Sequence, residues 1–116
     1  MTMNVINKLR FDTGENRANQ CAIDKVNEFL YFACNTKPVK IVKINSRNLS
    51  KVETLTLNTG EDNTYGIAID QPNGFLYVGC DTSPTTIVKI DLATFTRVGA
   101  ITLGAGEEYC GAMVID

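Results

Sequence analysis

Carboxylates recur at one place in this sequence. Glu15, Glu61 and Glu107 stand at successive steps of 61 − 15 = 46 residues, with Asp62 beside the second and Glu108 and Tyr109 after the third. Side chains of this kind could act as a general acid and base, or ring a calcium ion or a sugar. No EF-hand loop and no dense D-x-D series surrounds them, and acidic residues on exposed loops are mostly solvated. Glu15, Glu61, Asp62, Glu107, Glu108 and Tyr109 are therefore expected to bind rather than catalyse, with Tyr109 as a loop contact.

Other chemistries have less to work with. The chain has no histidine to activate a serine or cysteine, and no G-x-S-x-G elbow. Gly104-Ala105-Gly106 runs into Glu107-Glu108 without a lysine, so it forms neither a phosphate loop nor a dinucleotide fingerprint. Cys21, Cys34, Cys80 and Cys110 make no C-x-x-C pair, and zinc-finger and redox patterns lose their support. Cys34 and Cys80 fall on one repeat position and are expected as small buried hydrophobes. No catalytic residue, metal or cofactor is assigned.

The formal charge is −2, from 11 Lys and Arg against 13 Asp and Glu, and neither sign gathers into a block. Nucleic acid is excluded as a partner on this ground, because neutralising its backbone needs clustered positive charge. No stretch approaches the ~20 apolar residues of a membrane helix. The opening residues Met1 to Lys8 lack the apolar run of a secretory signal.

The elements that position these residues follow from an internal repeat. Residues 13–57 lie over residues 59–103 without a gap, at an offset of 59 − 13 = 46. Ala22-Ile23-Asp24 returns as Ala68-Ile69-Asp70, Phe29-Leu30-Tyr31 as Phe75-Leu76-Tyr77, and Ile41-Val42-Lys43-Ile44 as Ile87-Val88-Lys89-Ile90. Ile6, Leu9 and Phe11 fall on Val52, Leu55 and Leu57, while Val114-Ile115-Asp116 falls on Ala68-Ile69-Asp70. Each unit holds four short strand candidates, in the second copy Tyr65 to Asp70, Phe75 to Cys80, Thr86 to Asp91 and Thr96 to Leu103.

Turn chemistry separates the strands. Asp70-Gln71-Pro72-Asn73-Gly74 reads as a tight hairpin; its counterpart Asp24-Lys25-Val26-Asn27-Glu28 lacks both Pro and Gly and is expected to be looser. Pro38 and Pro84 block strand continuation, and Asp91 is placed to accept local backbone hydrogen bonds. The repeat-equivalent Tyr31 and Tyr77 are read as packing between sheets, and Lys43 and Lys89 as charges directed outward along an edge or across a face.

Four antiparallel strands at this period, with nothing long enough for a crossover helix, predict radially repeated sheets. The expected fold is all-β: a partial β-propeller of four-stranded antiparallel blades, 116/46 or about 2.5 repeats. Residues 1–116 form a single incomplete propeller domain. Within it, 5–11 make an outer strand, 19–57 the first blade, 65–103 the second, and 111–116 the inner strand of a third. The outlet for binding is expected on the loop face made by residues 12–18, 58–64, 104–110, 35–40 and 81–86. The open sheet edges predict self-association with another chain.

Tyr65-Gly66-Ile67-Ala68-Ile69-Asp70, Asn73-Gly74-Phe75-Leu76-Tyr77-Val78-Gly79 and Ile87-Val88-Lys89-Ile90-Asp91 resemble the YVTN-type family of β-propeller repeats. The likeness covers nearly the whole chain, though the signature Tyr-Val-Thr-Asn reads Tyr77-Val78-Gly79-Cys80 here. It implies near-identical modules of a long cell-surface or secreted parent and carries no catalytic residue. The expected function is a non-catalytic scaffold binding protein or glycan through its loop face. The alternative is a fragment of a lactonase-like or lyase-like propeller enzyme whose active residues lie mostly in other blades.

Overall fold

The computed structural model describes residues 4–107. Eight strands form two separate four-stranded antiparallel sheets with neighbours in chain order. The first holds β1 (Ala18–Asp24), β2 (Phe29–Cys34), β3 (Lys40–Asn45) and β4 (Ser50–Thr56). The second holds β5 (Thr64–Asp70), β6 (Phe75–Cys80), β7 (Thr86–Asp91) and β8 (Thr96–Thr102). Pairing repeats with the sequence: Phe29 faces Asn45 as Phe75 faces Asp91. Even the irregularities recur, with one register shift at Ala18/Gln20 and Thr64/Gly66 and another at Lys43/Ile44 and Lys89/Ile90.

Alternation along each strand gives every sheet two apolar sides. Tyr31, Ala33 and Ile41 on one side of the first sheet pack with Leu76, Val78, Val88 and Ile90 of the second. The opposite side of the first sheet has its own cluster around Cys34, Val42 and Ile44. The principal core is thus the junction between two blades, with β1 running beside β5. Cys34 and Cys80 are buried in these clusters, as their repeat positions predict. Burial, with the charges of Glu61 and Asp62, pushes the Cys80 thiol up to about 12.

Two expectations need correction. Residues 5–11 form no strand; Leu9 and Phe11 instead lie against the Cys34 and Val42 cluster. A fourth strand needs the third strand of its own sheet to pair with, and no such strand precedes β1 among the described residues. The hairpin after β1 is not looser. Glu28 takes φ +63°, its amide donates to Asp24 O at 2.9 Å, and Gly74 closes on Asp70 O at 2.8 Å. The Asp24 carboxylate compensates for the missing Pro and Gly by accepting from the amides of Val26 and Asn27 and from the Asn27 side chain. Lys43 and Lys89 lie across a face of their sheets, their ammonium groups 4.2 Å from the centroid of Phe29 and 3.9 Å from that of Phe75. The proposed inner strand 111–116 lies outside the described residues.

One difference between the copies is compensated within the sheet. A Cβ at Gly79 would come within 2.5 Å of the Tyr65 ring, whereas the equivalent positions in the first copy are Ala33 and Asn19. Gly79→Ala should therefore cost about 1–3 kcal/mol by overpacking. Adding Tyr65→Asn, which recreates the first copy's pair, should recover at least half of that in urea titrations. A double variant no more stable than Gly79→Ala would show that the ring is not the obstacle.

Candidate functional site

The carboxylates singled out by the repeat divide into two groups. Glu15 and Glu61 are buried rather than displayed on exposed loops. Each closes a four-residue turn whose third residue, Gly14 or Gly60, has φ near +90°, a conformation glycine adopts without a Cβ penalty. In these turns the Glu15 amide donates to Asp12 O at 3.0 Å while its Oε1 accepts from the Asp12 amide at 2.8 Å. Asn58 and Glu61 repeat the exchange at 3.0 and 2.8 Å. Gly104 and Glu107 repeat it a third time.

A cation on the outermost strand then neutralises the buried carboxylate. Lys51 Nζ donates to Glu15 Oε2 at 2.8 Å and to Asp12 Oδ2 at 2.6 Å, and the Thr54 hydroxyl also donates to Glu15. In the second copy Arg97 grips Glu61 with Nε at 3.1 Å and Nη2 at 2.6 Å, a two-pronged guanidinium contact. These carboxylates hold the incoming loop to the outer strand. Sequence reasoning missed the pairing, although the signal was present: Lys51 and Arg97 occupy one repeat position, as their partners do.

Burial alone would raise the Glu15 pKa. Hydrogen bonds from Lys51, Thr54 and the Asp12 amide, together with the Lys51 charge, overcome it and hold the group below its ordinary 4.5. The unfolded chain therefore binds the proton more readily, so this contribution is complete above pH 4.5 and fades as pH falls through the folded value. Glu15→Gln should flatten that acid limb of the stability curve. An unchanged limb in the variant would remove Glu15 as its source.

The remaining candidates are more accessible. Asp62 is half-buried and Glu107 is exposed, both at the loop end predicted as the outlet. Glu108 and Tyr109 lie outside the described residues. Tyr31 is 1% exposed, with its ring centroid 5.7 Å from that of Phe95, so it packs between the sheets as expected. Burial and then the Asp24 charge push its hydroxyl pKa up to about 12.

A cleft not foreseen from the sequence opens at the opposite end, where the hairpins after β1 and β5 meet the turn after β7. Its volume is about 400 Å³, with Asn27, Phe29 and Lys43 from one sheet and Gln71, Asn73 and Asp91 from the other among its lining residues. Gln71 bridges the sheets by donating its side-chain amide to Asp24. Among the described residues, no group of His, Cys, Asp and Glu side chains is arranged to hold a metal ion. No helix among them is long and apolar enough to cross a membrane.

No protein-family model matches the chain, and no curated protein matches it. Solved structures do. The β-propeller domain of Myceliophteria thermophila Cps50 (Swd1) superposes with a TM-score of 0.65 at 12% identity, over 85% of this chain and 28% of that one. The WD40 repeats of RRP9 give 0.71 at 14% identity, over 90% of this chain and 31% of that chain. Kuenenia stuttgartiensis hydrazine synthase gives 0.71 at 12%, over 97% and 30%. The chain thus spans roughly a third of the length of each. Identities this low speak to architecture alone, and the same architecture serves a synthase and repeat domains alike. Its two repeated four-stranded sheets have the fold of consecutive blades of a partial β-propeller.

Proposed function

We propose that this chain is a non-catalytic propeller scaffold of the YVTN type that binds protein or glycan through the loops between one blade's outer strand and the next blade's inner strand. The observation that supports this reading is the division of labour among the loop carboxylates. Glu15 and Glu61 are consumed in holding the loops down, while Asp62 stands on the loop that the Glu61 anchor fastens and Glu107 is exposed at the same end. A rigid loop loses little conformational freedom on binding, which is the condition for a small polar surface to hold a partner.

The test is binding by the full chain to an oligosaccharide array and to a peptide library. Saturable binding should weaken about tenfold in Asp62→Ala and in Tyr109→Ala, the loss expected of interface residues worth ~1.4 kcal/mol each. Melting temperatures should stay at the wild-type value in both variants. Binding that survives both substitutions, or that falls only in step with stability, would sink the assignment of this face. Glu61→Ala is unsuitable as a binding probe, because it breaks the loop anchor.

A further inference from the structure

We propose that copies of this chain assemble head to tail, the open side of one copy's second sheet receiving the first sheet of the next. The inference is independent of which ligand the loops hold. Its template is the junction already present inside the chain. There the side of the first sheet bearing Tyr31, Ile41 and Leu55 is covered by the second sheet. The same side of the second sheet carries Tyr77, Ile87 and Ile101, which line an apolar groove with Lys89, Gly99 and Ala100. Ile101, the counterpart of the packed Leu55, is 61% exposed.

The complementary surface exists on the same molecule. Leu76, Val78, Val88 and Ile90 seat the second sheet on the first, and their counterparts Leu30, Phe32, Val42 and Ile44 form the far side of the first sheet. Leu9 and Phe11 from the N-terminal arm lie there, at the repeat positions of Leu55 and Leu57. The arm therefore stands in for the outer-strand residues of a preceding blade, and Ile101 and Leu103 of another copy are the residues that would replace it.

Charge supports the same register. Inside the chain, Gln71 donates to Asp24 across the junction. Moving both positions by one repeat pairs Asp70 of one copy with the counterpart of Gln71 in the next, which is the exposed Lys25. A hydrogen bond from an uncharged amide within the chain becomes an ion pair between chains, which fixes orientation and favours encounter. At the loop end the turn 12–15 of the incoming copy and the turn 104–107 of the first claim one place. Glu15 is held by Lys51 and Thr54, whereas the Glu107 carboxylate is exposed and, among the described residues, accepts only the Gly104 amide, the Glu107 carbonyl accepting from the Thr85 amide at 3.0 Å. The incoming turn is the better anchored and displaces the other.

The described residues of each copy supply two blades, so closed rings of ~4–8 such blades correspond to two, three or four copies. Sedimentation of the full chain from roughly 5 to 500 µM, a range that captures weak to moderate Kd values, should show mass rising from 12.7 kDa towards one of these multiples. Ile101→Asp should leave only monomer. Asp70→Lys and Lys25→Asp should each weaken assembly about tenfold, and their combination should return it to within about threefold of wild type. Circular dichroism at the lowest concentration separates loss of assembly from loss of fold, and the charge exchange carries the test if Ile101→Asp misfolds. A monomer throughout the range overturns the proposal. So does a charge-exchanged double variant no better than the singles.

Discussion

Replacing Phe95 by alanine should cost about 3–4 kcal/mol, near the upper end for a buried aromatic truncation. Phe95 is 2% exposed and comes from the turn between β7 and β8, where φ of +51° aims it across the junction. Its ring packs on Tyr31 and lies 5.6 Å from the Lys43 ammonium. Truncation would open a cavity between the sheets and remove one of the two rings beneath that ammonium. The counterpart Leu49, also at positive φ, is only half-buried against the far side of the first sheet. Leu49→Ala should therefore cost about half as much. Urea titrations of both variants check the contrast, and equal losses would mean that Phe95 does not act through the junction.

Arg97→Ala should cost about 2–3 kcal/mol. The Glu61 side chain is 9% exposed and the Arg97 side chain 27%, so removing the guanidinium strands a carboxylate that water reaches poorly. Lys51 performs the corresponding task in the first copy with a single ammonium, and Arg97→Lys should cost less than about 1 kcal/mol, the difference between two prongs and one. A double-mutant cycle with Glu61→Gln and Arg97→Met isolates the pair. The double variant should be more stable than the summed single losses predict. Strict additivity would show that the two side chains do not act as a unit.

Most of the fold was legible because a repeat reports twice on the same requirement. Alternating apolar positions in Phe75–Cys80 and Thr86–Asp91 could be checked against Phe29–Cys34 and Lys40–Asn45, and the strands appear where both copies agree. The pattern failed at residues 5–11. Ile6, Leu9 and Phe11 match an outer strand in apolar spacing, but spacing does not supply the neighbour that backbone pairing needs. The candidate site was less legible. An acidic residue beside glycine in a loop reads as solvated, and only a cation 36 positions further on turns Glu15 and Glu61 into buried anchors. The inter-blade cleft was hidden for a related reason: its walls come from two copies, and no contiguous segment contains both Asn27 and Asp91.

The displaced pairing between the last two strands of each blade has a bearing on how such a molecule avoids fibres. Val52 and Val98 are the additional residues where Lys43 to Ile44 faces Glu53 to Lys51, and Lys89 to Ile90 faces Gly99 to Arg97. The resulting kink adds local twist, and Glu53 sets an exposed charge on the margin of the first sheet. A stray extended peptide approaching the rim meets a bent border instead of a flat ladder. Cross-β growth is thereby discouraged at the perimeter.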